Sequence, residues 1–384
     1  FGCGAAEISG MQGGFQELDI VTMVKSVTKY AKTLCDLQTL REEILEAVSC
    51  AVSGRPGPVL IDLPMDLQYG TVSVDDLVEK VSGESDGRPV PSWKIGEGAS
   101  EALSQLKDLV SKSKRPLIVV GGGVRHAGVV PALNQLVLRT GVPFVTTYAA
   151  IDVVESKMEN YLGPLGQFGD PHANAPTGHA DLVVALGTRF AQKQLGNSPQ
   201  QFAPEAVLAA VNVDVNELRA SPRLIDLPIH LSLGDFFDEW EPQFDSMEKN
   251  WWRAFQPEEE PDLSSIQQST ASGHNPYSVA ATTLEFFRNR SGTLVLDTGQ
   301  NLVASVQMAT IPPELRVFSS WGNSPMGYSL PAAIGAFISD PSREVVCVIG
   351  DGGMQVNIQE LQTIVHYQIP VRIVLWNNHG YVMI

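Results

Sequence analysis

Cysteine is scarce in this chain: its 384 residues include four cysteines, and no two of them have the CxxC spacing of a metal or redox site. We therefore expect free thiols in a reducing compartment, and a cytoplasmic protein. Long apolar runs are missing too, and without a run of about 18 residues no membrane span is expected. The chain starts with Phe1 rather than Met, so we expect the natural N-terminus to lie upstream, which leaves organelle targeting open.

Positive charge is also in deficit. Lys and Arg number 26 against 43 Asp and Glu, which gives a net charge of −17. That balance disfavours a nucleic-acid or anionic-membrane partner, but it allows a small anionic ligand, because a metal ion or a helix terminus acts locally. The seven histidines show no metal-ligand spacing, and neither a nucleophile elbow nor a Ser-His-Asp order occurs.

Short apolar runs alternate with helical periodicity along the chain, which predicts an α/β fold of doubly wound parallel sheets. The predicted strands are residues 59–63, 116–120, 142–147, 181–186, 206–213, 293–296, 316–319, 345–349 and 371–376. The clearest predicted helices are residues 37–53, 277–287 and 330–338. Three domains are predicted, at residues 1–80, 95–240 and 276–384. Residues 80–95 and 235–275 read as linkers, the second with Trp251-Trp252 and an acidic run at 258–260 that we interpret as solvated.

Two polar turns follow predicted strands near the end of the chain, GDGG at residues 350–353 and NN at residues 377–378. If the two strands are parallel neighbours, both turns lie at the carboxyl edge of the sheet, where open α/β sheets bind ligands. Oxygens from Asp351, Asn378 and the carbonyl of Gly380 suit the hard coordination shell of Mg²⁺. An ordinary helix cap is the alternative for Asn378.

The glycines of the first turn predict a phosphate site. Gly350, Gly352 and Gly353 allow a close backbone approach, and the amides of Gly352, Gly353 and Met354 open a helix whose N-terminus favours anions. Asp351 occupies the place of an anion, which is consistent if a divalent cation bridges its carboxylate and the phosphate. A plain tight turn is the alternative.

GDG, 24 intervening residues and NN together resemble the thiamine diphosphate signature of the acetolactate synthase and 2-oxo acid decarboxylase superfamily. The resemblance implies that Asp351, Asn378 and the Gly380 carbonyl hold Mg²⁺, and that the amides after Asp351 hold the diphosphate. Gln300 and Asn301, at the end of an earlier strand, resemble residues that reach the diphosphate side. A polar helix N-terminus is the alternative for that pair.

Met326 lies 25 residues before Asp351, where the family has a bulky apolar residue that holds thiamine in a bent conformation. The resemblance implies that this bend brings the aminopyrimidine nitrogen to the thiazolium C2 and promotes its deprotonation, with the protein supplying position and electrostatics. A core-filling side chain is the alternative for Met326.

Two further segments carry the resemblance. The Phe-Gln pair ending at Gln16 and the sequence GRPGPVLIDLP (residues 54–64) resemble the end of the pyrimidine-binding domain. The resemblance implies that Gln16 lines a neighbouring subunit's site, and loop packing is the alternative.

The family's central domain is Rossmann-like and binds FAD in acetolactate synthases. GTRF at residues 187–190 resembles its flavin-side segment but residues 191–193 do not, and the glycines at 121–123 lack GxGxxG spacing, so bound FAD stays open.

The resemblance spans the chain and implies decarboxylation of a 2-oxo acid such as pyruvate, with transfer of the acyl unit to a second carbonyl, by homodimers or homotetramers. Acetolactate synthesis belongs to branched-chain amino acid biosynthesis. The short loop after Asn378, however, is similar to relatives that include sugar-modifying acyl transferases, so a keto-sugar acceptor is the alternative. The glutamate that protonates the cofactor N1′ in this family precedes residue 1, so we expect the 384-residue chain alone to be inactive.

Two other functional classes stay open. One is a non-catalytic relative that keeps the fold and binds the cofactor. The other is a nicotinamide-dependent oxidoreductase that uses the central domain, against which the irregular glycine spacing argues.

Overall fold

The computed structural model describes residues 19–71, 96, 98–154, 158–255, 275–308, 310–312 and 314–381. The chain divides into two compact units, Phe1–Lys94 and Ile95–Ile384. Every strand pair in the described part of the chain is parallel and helices connect the strands, so the predicted α/β class with parallel sheets is confirmed. None of the described helices is long and apolar enough to cross a membrane.

The first unit contains a small parallel sheet with a helix packed on it. Its elements are α1 (Ile20–Val24), β1 (Tyr30–Thr33), α2 (Leu40–Val52), β2 (Val59–Asp62) and α3 (Met65–Gln68). Strands β1 and β2 pair with Tyr30 opposite Val59. Strand β1 is missing from the predicted set because its sequence, YAKT, contains no apolar run.

The second unit begins with a six-stranded Rossmann-like sheet. Its strands are β3 (Pro116–Val120), β4 (Phe144–Thr146), β5 (Tyr161–Pro164), β6 (Leu182–Leu186), β7 (Val207–Asn212) and β8 (Leu227–His230). Its helices are α4 (Ala99–Lys112), α5 (Gly123–His126), α6 (Val130–Thr140), α7 (Pro171–His179), α8 (Gln192–Leu195), α9 (Val215–Arg219) and α10 (Leu233–Glu239). The strand order β5-β4-β3-β6-β7-β8 reverses direction between β3 and β6, as in a doubly wound sheet.

The two edge strands of this sheet are missing from the predicted set. Strand β5 contains Gly163 and ends at Pro164, and β8 contains Pro228. Proline in an apolar run argues against a central strand, but an edge strand tolerates it because one side of its backbone is unpaired.

The predicted linker at residues 235–275 is wrong in its first part. Helix α10 extends to Glu239, and a 3-10 turn covers Trp251–Phe255. Trp251 and Trp252 are buried in the hydrophobic core on one face of the six-stranded sheet. The aromatic pair was the available signal, and the acidic composition around it masked that signal. The acidic run at 258–260 lies outside the described residues.

The rest of the second unit is a four-stranded parallel sheet of order β10-β9-β11-β12. Its strands are β9 (Gly292–Leu296), β10 (Leu315–Phe318), β11 (Glu344–Gly350) and β12 (Arg372–Trp376). Its helices are α11 (Pro276–Glu285), α12 (Gln300–Gln307), α13 (Ser329–Ser339), α14 (Asp351–Val356) and α15 (Glu360–His366). Helix α11 starts where Asn275 caps the N–H of Tyr277 and Pro276 takes the first helical position.

Two predictions for this sheet need correction. The helical pattern after GDGG is split into α14 and α15, because Asn357 leaves the helical conformation and its Nδ2 donates to the carbonyl of Gly327 at 2.9 Å. The apolar run at residues 371–376 is typical of a buried strand, but β12 lies at the edge of the described sheet and the side chain of Leu375 is half exposed.

Candidate functional site

The carboxyl edge of the four-stranded sheet brings three polar turns together. Strand β11 pairs with both β9 and β12, with Gly350 opposite Trp376. Asp297 follows β9, Asp351 follows β11 and Asn377 follows β12. The prediction that the GDGG and NN turns share one edge is therefore confirmed.

Asp297 organises this edge, although it was not predicted as a functional residue. Its side chain is only 1% exposed, and it accepts the N–H of Gly327 at 3.0 Å and the N–H of Ser329 at 3.3 Å. Burial raises the pKa of the Asp297 carboxyl, and the N–H groups that donate to it oppose the rise. The available signal was a carboxylate directly after a buried strand, at the same edge as Asp351.

Both glycines after Asp351 are enclosed by other side chains. A Cβ on Gly353 would collide with Oδ2 of Asp297, and a Cβ on Gly352 would collide with the ring of Tyr381. The methyl group of Met326 would lie 3.0 Å from that same Cβ on Gly352. The structure therefore places Met326 at the glycine turn, and its support of the thiamine ring stays a prediction.

The loop that carries Met326 is tied to the helix after the glycine turn. Gly327 has a φ of +80°, a conformation that favours glycine, and a Cβ there would lie 2.9 Å from the carbonyl oxygen of Gly353. Asn357 holds the Gly327 carbonyl, and Asp297 holds its N–H. The peptide next to Met326 is thus held from both sides.

The proposed metal ligands lie on the two neighbouring turns. Asp351 is the first residue of α14, which has only six residues and therefore a weak dipole. In the exposed turn after β12, Oδ1 of Asn378 accepts the N–H of Gly380 at 3.3 Å, and Oδ1 of Asn377 accepts the N–H of His379 at 3.0 Å. Among the described residues, no three or more His, Cys, Asp or Glu side chains are grouped so that they could hold a metal ion. A metal here therefore needs amide and carbonyl oxygens beside Asp351. An all-oxygen set of this kind fits Mg²⁺.

Gln300 and Asn301 begin α12 at the same edge, after Gly299 with a φ of +102°. Gln300 is exposed, whereas Asn301 is 3% exposed and its Nδ2 donates to the carbonyl of Thr298 at 2.8 Å. Within the described part of the chain, Oδ1 of Asn301 is buried and has no hydrogen-bond partner. A buried polar atom without a partner is costly, so this site fits a bound ligand or water that supplies a donor.

Comparison with known proteins identifies the domains that carry these turns. Residues 297–384 match the thiamine pyrophosphate enzyme C-terminal TPP binding domain, and residues 103–239 match the central domain of thiamine pyrophosphate enzymes. This chain belongs to the thiamine pyrophosphate enzyme family. Its parallel sheets are the fold of that family, with a Rossmann-like central domain.

Similar family members are acetolactate synthases. The chain is 30% identical over 374 residues to the acetolactate synthase isozyme 2 large subunit of Escherichia coli (strain K12). The matched region covers 95% of this chain and 63% of that protein. It is 30% identical over 383 residues to the acetolactate synthase large subunit of Lactococcus lactis subsp. lactis (strain IL1403), at 96% and 63% coverage. It is 30% identical over 382 residues to acetolactate synthase 1, chloroplastic, of Oryza sativa subsp. japonica, at 95% and 56%. The chain thus spans less than two thirds of the length of these relatives.

In this member of the thiamine pyrophosphate enzyme family, a cleft of about 220 Å³ lies between the central and C-terminal domains, beside the start of α12. It is lined by Tyr148, Phe168, Lys193, Thr298, Gly299, Leu302, Val303, Val306 and Trp321. The hydroxyl of Tyr148 accepts the N–H of Phe168 at 2.7 Å, and burial raises the pKa of Tyr148 to about 12. The Lys193 amine lies 3.4 Å from the hydroxyl of Ser324. These cleft residues come from distant segments of the chain, and sequence reasoning did not find them.

The glycines after β3 serve the packing of the central domain. A Cβ on Gly121 would collide with the carbonyl of Gly187, and one on Gly123 would lie 2.8 Å from the Gly187 backbone. A Cβ on Gly122 would lie 3.1 Å from the Cβ of Ala149. Packing against the Gly187 backbone therefore requires glycine at positions 121 and 123, whether or not a dinucleotide binds. Gln16 lies outside the described residues.

Proposed function

We propose that the full-length protein uses thiamine diphosphate and Mg²⁺ to decarboxylate a 2-oxo acid, with pyruvate as the donor, and transfers the acyl unit to a second carbonyl. The observation that carries the proposal is the carboxyl edge at which Asp351 and Asn378 follow neighbouring parallel strands while Met326 lies against Gly352. The acetolactate synthases among its relatives support this reaction class.

The site residues fit the cofactor. Gly350, Gly352, Gly353 and Met354 would hold its diphosphate through their backbones, because a side chain at Gly352 or Gly353 would collide with its neighbours. Gln300 and Asn301 would lie beside the same group, and the unpartnered Oδ1 of Asn301, which can only accept, would accept from a water beside the diphosphate. The metal would be held by Asp351, Asn378 and the Gly380 carbonyl.

When bound, thiamine diphosphate supplies the carbanion chemistry that breaks the bond between a carboxylate and a carbonyl carbon. The residues of the chain position the reactants. Met326 presents an apolar side chain at Gly352, and Asp297 fixes the peptide that follows it. Tyr148 lines the cleft with a hydroxyl that accepts the N–H of Phe168, while Lys193 adds a cation to the cleft lining.

The acceptor distinguishes two versions of the proposal. Acetolactate forms if a second pyruvate is the acceptor, and a branched sugar forms if a keto-sugar is the acceptor. Product analysis of the full-length protein with pyruvate alone, with pyruvate and 2-oxobutyrate, and with pyruvate and a keto-sugar decides between them. Cofactor binding without any product in the three reactions would favour the non-catalytic relative, and a signal in an NADH fluorescence titration would favour the oxidoreductase.

We assign no step to FAD, because the glycines at Gly121, Gly122 and Gly123 pack against protein atoms. A flavin absorbance spectrum in the purified full-length protein would add FAD to the site as a bound group.

We propose a homodimer or homotetramer as the assembly. In the first unit, Ile44, Leu45, Val48 and Val52 leave apolar surface exposed on α2, and such surface is typical of an interface. Sedimentation of the full-length protein tests this: a dimer or tetramer is expected, and a monomer at micromolar concentration would contradict it.

A further inference from the structure

Asp152 joins the central domain to strand β10 of the C-terminal domain. Its side chain is fully buried, and its Oδ2 accepts the N–H of Val317 at 2.9 Å and contacts the guanidinium of Arg316. From the central domain, Arg125 lies 3.2 Å from Oδ1 and donates to the Asp152 carbonyl at 2.6 Å. The carboxylate of Asp152 thus forms ion pairs with two arginines that belong to different domains.

The segment that ends at Asp152 is packed into the C-terminal domain. Tyr148 and Ile151 belong to the same hydrophobic core as Leu294, Leu302 and Val317. Tyr148 also forms one wall of the cleft between the domains. The segment that ends at Asp152 therefore fixes the position of Tyr148 in the cleft relative to strand β10.

Strand β10, which Asp152 contacts, is followed by a loop that contributes to the cleft on the side of the C-terminal domain. Strand β10 ends at Phe318, and the loop that follows carries Trp321 in the cleft and Met326 at Gly352. Trp321 and Ser324 have φ values of +44° and +45°, which are unfavourable for residues with side chains. A loop with two such residues needs external support, and strain of this kind is found mainly at functional sites.

Stability alone does not explain a charged group at this position. Removing a carboxylate from water is costly, and an apolar side chain of similar size often serves a buried contact equally well. A carboxylate with two arginines and a backbone N–H does, however, define a single arrangement of the groups around it. This arrangement of contacts is therefore one that could hold the two domains in a single geometry.

We propose that Asp152 is a positioning residue that sets the loop at residues 319–328 against the cleft, and so places Trp321 opposite Tyr148 and Met326 at Gly352. The part that concerns the loop is independent of the proposed function. Only the consequence for cofactor binding rests on it.

Fluorine NMR of the full-length protein labelled with 5-fluorotryptophan tests the loop placement, with Trp321 assigned by Trp321→Phe. Asp152→Asn is expected to shift or broaden the Trp321 resonance and to leave those of Trp251 and Trp252 in place. Arg316→Gln is expected to shift or broaden the Trp321 resonance too, and the double variant to have no larger effect than Asp152→Asn, because the ion pair between Asp152 and Arg316 is already lost in that single variant.

Asp181→Asn is the matched control. Asp181 accepts the N–H groups of Lys114 and Arg115 at 2.9 and 3.0 Å, all within the central domain, so its loss should leave Trp321 unchanged. An unchanged Trp321 resonance in folded Asp152→Asn and Arg316→Gln, or an equal shift in Asp181→Asn, would overturn the proposal. If Asp152→Asn does not fold, Arg316→Gln decides alone.

Calorimetry with thiamine diphosphate and Mg²⁺ tests the consequence. Asp152→Asn is expected to bind the cofactor roughly tenfold more weakly, because displaced positioning groups lose much of their effect, and Asp181→Asn to bind it as the unmodified protein does. Unweakened binding in Asp152→Asn would contradict the consequence while leaving the loop result intact. Absence of binding in the unmodified protein would instead refute the proposed function, and the NMR result would still judge the positioning role.

Discussion

The carboxylate of Asp297 lies against the backbone of Gly353, so close that a single added methyl group on Gly353 would overlap its Oδ2. Asp297 directly follows β9, and Gly353 lies in α14, the helix that follows the neighbouring parallel strand β11. Asp297 is also hydrogen-bonded to the N–H of Gly327, next to Met326. This one carboxylate therefore connects the turn proposed to hold the diphosphate with the residue proposed to support thiamine.

The two glycines after Asp351 should respond differently to alanine. Gly353→Ala is expected to lower the unfolding free energy by about 1–3 kcal/mol, because the buried Asp297 cannot move away from the new methyl group. Gly352→Ala should change stability by less than about 1 kcal/mol, because Tyr381 is 56% exposed and can rotate away. Urea unfolding of both variants measures the difference, and equal losses would contradict the enclosure of Gly353 by Asp297.

Replacement of Asp297 by asparagine should destabilise the protein by about 1–3 kcal/mol at neutral pH, because an amide cannot accept N–H groups at both of its terminal atoms. The pKa of Asp297 is raised in the folded state above its ordinary value of 3.8. Its titration therefore adds stability that is fully present below pH 3.8 and is lost as the pH rises through the raised pKa.

Unfolding free energies of the unmodified protein and Asp297→Asn, measured at several pH values from acid to neutral, test that sign. The advantage of the unmodified protein should shrink as the pH rises. A growing advantage would mean that the N–H donors, rather than burial, dominate the pKa of Asp297.

Native cysteine reactivity should follow burial. Cys347 is buried in β11, its thiol lies 3.4 Å from the Ser329 hydroxyl, and burial raises the pKa of this thiol to about 12. Cys35 is free and exposed. Iodoacetamide at pH 8 should modify Cys35 in the folded protein and Cys347 only after unfolding, as read by peptide mass spectrometry. Modification of both at similar rates in the folded state would show that β11 opens readily.

The shared edge of the GDGG and NN turns was predictable from the sequence because it depends on short-range features. Apolar runs marked β11 and β12, and once these strands are parallel neighbours the turns that follow them must share an edge. The role of Asp297 was not predictable in this way. The sequence around a carboxylate that follows a strand does not show whether the carboxylate is solvated or buried. Asp297 is enclosed by the loop around Gly327, some 30 residues later in the chain.

The remaining differences arise from contacts that a local pattern does not contain. Strands β1, β5 and β8 contain lysine or proline and are held by backbone pairing to one neighbour, so their side chains carry little signal. Trp251 and Trp252 complete a core formed by distant strands. The cleft, too, is assembled from two domains, so none of its lining residues formed a motif.

Asp351 and Asn378 are proposed to hold the metal with which thiamine diphosphate binds, and calorimetric titration of the full-length protein tests that role. The unmodified protein should bind thiamine diphosphate only when Mg²⁺ is present. Asp351→Asn and Asn378→Ala should each abolish that binding, whereas Asn377→Ala, which removes the neighbouring amide, should keep it. Binding that is independent of Mg²⁺, or that survives in Asp351→Asn, would show that these residues do not hold the metal.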